Sequence, residues 1–490
     1  MAAGSSVGIG IGCEMRYCLD IFIRLLRYLS MSSSPFRHSS FRRLFSAQVI
    51  ALVGTGLTTV ALTLLAYDLA GGNAGIVLGT AMAFKMVAYV IFSPILGGLA
   101  HRFPRKALLI ILDVVRAATV LAMPFVTAVW QVYLLIFLLN LFSAGFKPVF
   151  AASIPDVLPS EEEYTKALSY SRLAYDLESL LSPLFAGLAL LYFSYTALFL
   201  GNSVAFLISA VLIMGCVLPH ATRPERSSSI WEEITFGLRS YMATPRLRAL
   251  LTLYAAVAAA SAMVIVNTVV FIRENMGLED TDVALAFAAA GLGSMIAALL
   301  VPKALEFVND RTLMIGGSVC MGVGLLLTAT DLSYPQLLLM WFFVGLGLSL
   351  VQTPAGRIVN RSSLPEDRPA YFSAQFALSH ACWLIAYPVV GFLGATLGVV
   401  STAGIMGGVI LAFTALAFVM WPRGDGESLT HVHTEMNHLH PHKHGSHHEH
   451  AHEGWEGPEP HVHVHLHQPV KHLHRFVIDD HHRHWPETQS

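Results

Sequence analysis

The chain has 490 residues, 54% hydrophobic and only 13% charged, with a mean hydropathy of +0.59, whereas soluble domains carry roughly 25% charged residues to cover their surface. That balance excludes an ordinary water-soluble domain, and a formal net charge of -2 lacks the basic excess that a nucleic-acid partner demands. The five cysteines, Cys13, Cys18, Cys216, Cys320 and Cys382, are scattered and form neither a disulfide framework nor a zinc-binding spacing.

Residues 1–45 read as a segment outside the membrane. Tyr17 to Leu29 is apolar but interrupted by Asp20, Arg24 and Arg27, too short and too charged to span, and without a small-residue cleavage site. Met31 opens Ser-Ser-Ser-Pro-Phe-Arg-His and is the expected translation start, with an amphipathic surface helix as the rival reading. Twelve apolar stretches follow, each near the roughly 20 residues needed to cross about 30 Å of hydrocarbon: 46–69, 75–100, 107–128, 131–151, 166–192, 196–218, 249–272, 283–304, 312–330, 336–356, 371–397 and 401–421. Short turn signals such as Gly71-Gly72-Asn73 and Ser194-Tyr195 close tight connections between antiparallel spans. The expected fold is all-α and polytopic, with a six-helix half over 46–218, a central loop over 219–248, a second six-helix half over 249–421 and a tail over 422–490.

Positive charge in short loops stays cytoplasmic. Arg37, Arg42, Arg43, Arg102, Arg105, Lys106, Arg223, Arg226, Arg239, Arg246, Arg248, Lys303, Arg311, Arg357, Arg361 and Arg368 fall on one set of span ends, and little beyond Arg273 on the other. Both termini are therefore expected in the cytoplasm.

Charge inside the spans is the next signal, because an ionised side chain at the bilayer centre costs roughly 2.5–3.5 kcal/mol on insertion scales. Lys85, Arg116, Asp176 and Glu178 all fall near mid-depth at about 1.5 Å of rise per residue, and the expectation is a charge-balanced network across the second, third and fifth spans. Asp113 and Arg116 stand three apart and can pair on one helix face. Asp176 and Glu178 stand two apart, about 200° around the helix, so their roles must differ: one faces the central cavity as metal ligand or proton carrier, and the other neutralises Arg116 or Lys85. His380, at mid-depth in the eleventh span, is the further candidate, and Asn140, Asn267 and Gln352 are polar candidates for the cavity wall. Bracing of helix packing is the bland alternative for all of them.

Between the second and third spans lies Gly97-Gly98-Leu99-Ala100-His101-Arg102-Phe103-Pro104-Arg105-Lys106. It resembles the cytoplasmic signature of the major facilitator superfamily: Gly97, Arg102, Arg105 and Lys106 match, whereas His101 replaces the family's aspartate and Pro104 its later glycine. Phe84-Lys85-Met86-Val87-Ala88-Tyr89, Leu112-Asp113-Val114-Val115-Arg116-Ala117 and Ser171 to Pro183 look like the NreB-type bacterial nickel-resistance exporters, which also end in histidine-rich tails. That resemblance implies a monomeric, proton-driven exporter of nickel in the bacterial inner membrane, with a cavity-lining fourth span carrying Asn140. No phosphate-binding Gly-x-x-x-x-Gly-Lys-Ser/Thr signature is present, so protonation of a carboxylate or histidine is the available coupling chemistry. No enzymatic constellation of nucleophile, base and orienter appears.

The tail holds nineteen of the chain's 23 histidines. His431, His433, His438, His440, His442, His444, His447, His448, His450, His452, His461, His463, His465 and His467 recur largely as His-x-His. Imidazole accepts borderline divalent ions, Co(II), Zn(II) or Fe(II) as well as Ni(II), and it is the resemblance that implies Ni(II) first. The composition predicts a disordered strip that does not fold alone and gathers metal near the cytoplasmic mouth, with no permanently bound cofactor. Two other readings stay open: an exporter of an organic molecule such as a siderophore or drug with a metal-sensing tail, and a membrane-tethered metal store.

Overall fold

The structure, a computed structural model, describes residues 34–219, 229–330 and 332–422, and in the tail 428–432, 436–442, 461–467, 471–478 and 485. The stretch from Tyr17 to Met31, where an alternative start or a surface helix is expected, lies outside the described residues.

The first half is built from α1 (Ser39–Ala70), α2 (Ala74–Gly98), α3 (Arg105–Leu121), α4 (Val129–Val157), α5 (Glu161–Leu190) and α6 (Tyr195–Met214). A short helix, α7 (Ile230–Ala243), links it to the second half, which comprises α8 (Pro245–Val270), α9 (Asp280–Ala304), α10 (Asp310–Thr328), α11 (Tyr334–Gln352) with its extension α12 (Ala355–Arg361), α13 (Arg368–Leu397) and α14 (Val399–Met420). Among the described residues, twelve helices are long and apolar enough to cross a membrane, as the hydropathy predicts.

Several helices run past the expected spans because hydropathy marks only the hydrocarbon-crossing part. The fifth begins at Glu161 rather than near 166: Ser160 caps it by accepting from the Glu163 amide at 3.5 Å, and Glu161, Glu162 and Glu163 fill its first turn, where the helix dipole favours negative charge. The central loop contains α7, begun by a reciprocal cap in which the Glu232 amide donates to Ser229 Oγ at 3.3 Å and the Ser229 amide to Glu232 Oε2 at 2.9 Å.

Small residues let the helices approach closely, the usual device where lipid supplies no hydrophobic drive between spans. A methyl group at Gly345 of α11 would overlap the Ala290 carbonyl of α9, and one at Gly293 of α9 would overlap the Phe342 carbonyl. Between the halves, Gly97 of α2 lies so close to Ser373 of α13 that a Cβ there would overlap its side chain.

The end of the bundle that carries Arg102, Arg105, Arg357 and Arg368, the basic face, is latched shut across the halves. Arg105 pairs with Asp156, which also takes Arg368 of α13, and Arg105 Nη2 donates to the Pro365 carbonyl at 2.5 Å. Arg357 of α12 reaches Glu161 at 2.7 Å and Asp310 at 3.0 Å, and donates to Thr165. Ser93 Oγ of α2 donates to the Ser373 carbonyl at 3.3 Å.

The tail's described residues form four strands, β1 (Ser428–Val432), β2 (Met436–His442), β3 (His461–His467) and β4 (Lys471–Arg475). β1 pairs antiparallel with β4, and β2 with β3. His-Val-His-Val-His-Leu-His in β3 alternates residue by residue, the pattern of a strand.

Replacing Gly345 with Val forces a side chain into the α9 backbone, an overpacking that costs about 1–3 kcal/mol. A lowered thermal unfolding midpoint of the purified protein is expected; an unchanged midpoint would mean that α9 and α11 are not in backbone contact there.

Candidate functional site between the halves

A cavity of about 360 Å³ lies between the two halves. Its wall takes Gln48 and Thr55 from α1, Arg116 from α3, Phe146, Lys147 and Phe150 from α4, Ser171, Arg172 and Tyr175 from α5, Tyr254 from α8, Gln352 from α11, and Phe372, Gln375, Phe376, His380 and Trp383 from α13. No Asp or Glu side chain is among its lining residues.

The charges around it are arranged differently from the single network the sequence predicts. Arg116, 4% exposed, pairs with Asp113 one turn back, the local pairing expected from their spacing, and Ser209 Oγ of α6 donates to the other Asp113 oxygen at 2.7 Å. Its guanidinium carbon also lies 3.8 Å from the Phe146 ring centre and 4.4 Å from that of Phe206, so aromatic faces complete a shell that water would otherwise provide. Neither Asp176 nor Glu178 takes part in that pairing.

Asp176 is held instead by Arg172, one turn earlier on α5, at 3.0 Å, and accepts from Ser294 Oγ of α9 at 2.7 Å. Arg172 itself donates to Ser294 at 2.9 Å and to Gln352 Oε1 at 2.9 Å, so this cluster spans the seam between the halves. Glu178 faces the opposite way, as the 200° rotation predicts: it accepts from Ser182 at 3.3 Å and lies against Gly56 of α1, with Lys85 and Lys147 within electrostatic reach. Lys85 is half-buried, its ammonium 5.9 Å from the Tyr89 ring centre.

Lys147 is the functional candidate that the sequence reading passes over: it stands four residues from the end of the expected fourth span, and the helix, running on to Val157, places it well inside. Its Nζ donates to the buried Tyr89 hydroxyl at 3.0 Å and sits 4.9 Å from that ring's centre. Around it stand Phe376, His380 and Trp383: Tyr89 and His380 rings are 4.9 Å apart, Phe376 and His380 4.0 Å, His380 and Trp383 5.2 Å. His380 thus meets an aromatic group and not the acids, and its Nδ1 lies 2.7 Å from the Phe376 carbonyl oxygen. Arg172 is the second omission, and its spacing of four from Asp176 is the signal that finds it.

Two polar expectations are corrected. Asn140 does not line the cavity; it is buried in α4 and its amide donates to the Ile136 carbonyl at 2.8 Å. Asn267 is likewise buried, donating to the Val390 carbonyl at 3.3 Å, whereas Gln352 does reach the wall. Two donors of wall residues, Arg116 Nε and Gln375 Nε2, are buried without a hydrogen-bond partner.

In the loop between α2 and α3, Arg102 pairs with Glu233 of α7 at 2.7 Å, His101 Nε2 is 3.7 Å from the same carboxylate and its Nδ1 2.8 Å from the Gly98 carbonyl oxygen. Lys106 is half-buried beside the latched Arg105. His101 thus turns toward α7, and Asp156 supplies the carboxylate for Arg105. Among the described residues, no group of three or more His, Cys, Asp or Glu side chains comes together to hold a metal ion. His433, His444, His447, His448, His450 and His452 lie outside the described residues.

Comparison with known proteins agrees with this architecture. A family model described as Major Facilitator Superfamily matches residues 44–305 and 250–470. An uncharacterized MFS-type transporter of Bacillus subtilis, YfiS, is 25% identical over 335 residues, covering 66% of this chain and 79% of that protein. Macrolide efflux protein A of Streptococcus pyogenes is 28% identical over 157 residues, 31% of this chain and 38% of that protein. Among solved structures, the human organic anion transporter MFSD10 superposes with a TM-score of 0.67 at 13% identity over 77% of this chain and 99% of that one, and the E. coli fucose:proton symporter FucP with 0.63 at 15% over 78% and 98%; both likenesses concern the fold.

The Arg116 and Asp113 pair makes a test of the site's build. Arg116→Leu alone strands a buried carboxylate and should cost about 3–5 kcal/mol, whereas Arg116→Leu with Asp113→Leu should recover most of the loss. Thermal unfolding of the wild type and the single and double variants measures this; a double variant no better than the single one would show that the two groups are not each other's partners.

Proposed function

Because the chain is a member of the Major Facilitator Superfamily, a multi-pass membrane transporter, we propose that it exports an amphipathic organic molecule rich in hydrogen-bond acceptors, in exchange for protons. The carrying observation is the cavity wall: aromatic and cationic, without a carboxylate. A carbonyl- or carboxylate-bearing cargo gains by accepting from the cationic wall, where charge-assisted hydrogen bonds are the stronger kind, while its apolar part lies against Phe146, Phe376 and Trp383. Lys147, whose described hydrogen bond goes to the Tyr89 hydroxyl, is the charged docking point. The relatives named for macrolide efflux support the same reading for the chain's likeness to organic-cargo exporters.

Nickel export has one observation of its own, the histidine tract, but in the membrane body it lacks a ligand set: Asp176 is occupied by Arg172 and Ser294, and His380 by aromatic rings. Metal on this reading acts at the tail and is not the cargo. The positive-inside rule puts the basic face in the cytoplasm of a bacterial inner membrane, so the latched conformation is closed to the cytoplasm and loads or releases on the outside. Glu178 is the proton carrier: it lies within reach of Lys85 and Lys147, so its protonation changes the field at the docking lysine. Asp176, tied across the seam, couples the halves mechanically.

Cells with and without the protein, assayed for accumulation of Ni(II), Co(II), Zn(II), Fe(II) and a panel of acceptor-rich fluorescent amphiphiles, decide between the cargoes: lower amphiphile accumulation with metals unchanged is the expected result, and a selective fall in nickel would overturn it. Lys147→Met should reduce amphiphile efflux roughly tenfold, the loss of one hydrogen bond to a charged group. Glu178→Gln should abolish uphill efflux yet keep downhill exchange in vesicles; retention of uphill efflux would remove the carboxylate from coupling.

A further inference from the structure

Lysine and arginine reach the cavity wall at Arg116, Lys147 and Arg172, and no Asp or Glu does. Both arginines bring their own anion: Arg116 pairs with Asp113, and Arg172 with Asp176 at 3.0 Å. Lys147 differs, since among the described residues it makes no ion pair and its ammonium donates to the Tyr89 hydroxyl at 3.0 Å. Glu178 bears on it electrostatically but is shared with Lys85, and it accepts from Ser182 and lies against Gly56 of α1, off the wall. Arg116, Arg172, Lys147 and Lys85 are thus set against Asp113, Asp176 and Glu178, and the site stays one negative charge short even with every carboxylate ionised.

The rings of the wall do not make a site for a cationic cargo. A cation is drawn to an aromatic face within about 6 Å of the ring centre, and the rings nearest the charges already serve the protein's own cations: Lys147 Nζ lies 4.9 Å from the Tyr89 centre and 5.9 Å from that of Phe376, and the Arg116 guanidinium 3.8 Å from that of Phe146. An amine entering here meets like charge and no carboxylate. Away from Lys147 the rings continue as a run in the second half: Phe376 and His380 are 4.0 Å apart, His380 and Trp383 5.2 Å, Trp383 and Tyr254 6.2 Å. Trp383 is fixed in that run by its indole N–H, which donates to Ser261 Oγ at 2.7 Å. The volume of about 360 Å³ stands at the lower end of the roughly 300–1,000 Å³ of small-molecule pockets, which suits a body of a few fused rings and not a large macrocycle.

We propose that the cargo is a compact aromatic monoanion, a carboxylate whose acid group docks on Lys147 in the first half while its ring body lies along Phe376, Trp383 and Tyr254 in the second. This rests on the exporter reading and narrows it: hydrogen-bond acceptors alone are not enough, because the cargo brings the charge that the wall lacks. It brings one charge and not two, since a second would have to displace Asp113 or Asp176 from its arginine. Lys147 then selects for charge and the ring run for shape, and the two selections are made by different halves of the protein.

Titration calorimetry on the purified full-length chain with a matched series, 2-naphthoate, its methyl ester, 2-naphthylmethylamine and the corresponding naphthalene dicarboxylate, tests the charge. The naphthoate should bind about 10- to 100-fold more tightly than the ester or the amine, the worth of one hydrogen bond between charged groups, and the dicarboxylate no more tightly than the naphthoate. Lys147→Gln should bring the naphthoate down to the level of the ester and leave ester binding unchanged, which also shows that the variant is folded. Trp383→Ala should weaken naphthoate and ester by the same factor and so preserve the preference for charge. An amine bound as tightly as the naphthoate, or a preference for the carboxylate that survives Lys147→Gln, would overturn the proposal. Export assays on the same series separate it from the reading beneath: export of the ester or the amine without the naphthoate would leave an organic-cargo exporter and remove the anion, whereas export of none of them, with nickel efflux in their place, would remove both.

Discussion

A cation placed in a membrane-spanning helix must find a neutralising group or a wet cavity, and the way this chain meets that demand organises the rest of the protein. Arg116 and Arg172 each take a carboxylate one turn away on their own helix, Asp113 and Asp176. Local pairing of this kind leaves each arginine's remaining donors free to reach outward: Arg116 to the cavity wall, Arg172 across the seam to Ser294 and Gln352. Lys147 has no such pairing and rests on a tyrosine hydroxyl and aromatic faces. The cavity is therefore cationic because acids on the same helices are used up in pairs behind its wall.

The basic face follows a related logic with the signs exchanged between halves. In the first half the first residue of α3 supplies a cation, Arg105, to Asp156 at the end of α4; in the second half the first residue of α10 supplies an anion, Asp310, to Arg357 and Arg361 of α12. Arg368 and Glu161 then join each cluster to the opposite half. Because each bridging residue serves a cluster that is already paired within one half, parting the halves removes only the bridging contacts and leaves Arg105 with Asp156 and Arg357 with Asp310. A latch built this way opens without stranding a buried charge, which is the expensive event. The steric fit of Gly97 against Ser373 adds contact that is lost all at once when α2 and α13 separate.

Much of this was legible in the sequence, and the exceptions have physical causes. Hydropathy locates the twelve spans because a hydrocarbon layer acts on every residue of a window in the same way. The pairing of Asp113 with Arg116 and the divergence of Asp176 from Glu178 follow from helical spacing alone. What spacing cannot supply is the rotation of each helix about its axis, which is fixed by packing against neighbours. Asn140 is turned toward its own helix backbone for that reason, and Gln352, a weaker candidate by sequence, is turned to the cavity. Arg172 was detectable by its spacing of four from Asp176, whereas Lys147 comes to lie well inside its helix only because α4 runs on to Val157. The hairpin of the tail depends on pairing across a connection of eighteen residues between β2 and β3, and composition, which argues against a packed core, carries no information on register.

Helix α5 is where these strands of argument meet. Its first turn carries Glu161, which reaches Arg357 in the other half; its middle carries Arg172 and Asp176, which reach Ser294 and Gln352; one half-turn further, Glu178 points back toward α1 within range of Lys85 and Lys147. Latch, seam and titratable group are thus rigidly joined along one helix. On the exporter reading, a proton taken up at Glu178 removes a negative charge near two lysines, raising the electrostatic cost of keeping both charged beside an empty wall and favouring either an acceptor-bearing cargo or a rearranged α5. A shift of α5 acts on Ser294 and Arg357 together. Coupling between proton and cargo on this account needs no shared ligand: it is the mechanical consequence of placing the acid and both interhalf contacts on the same rod.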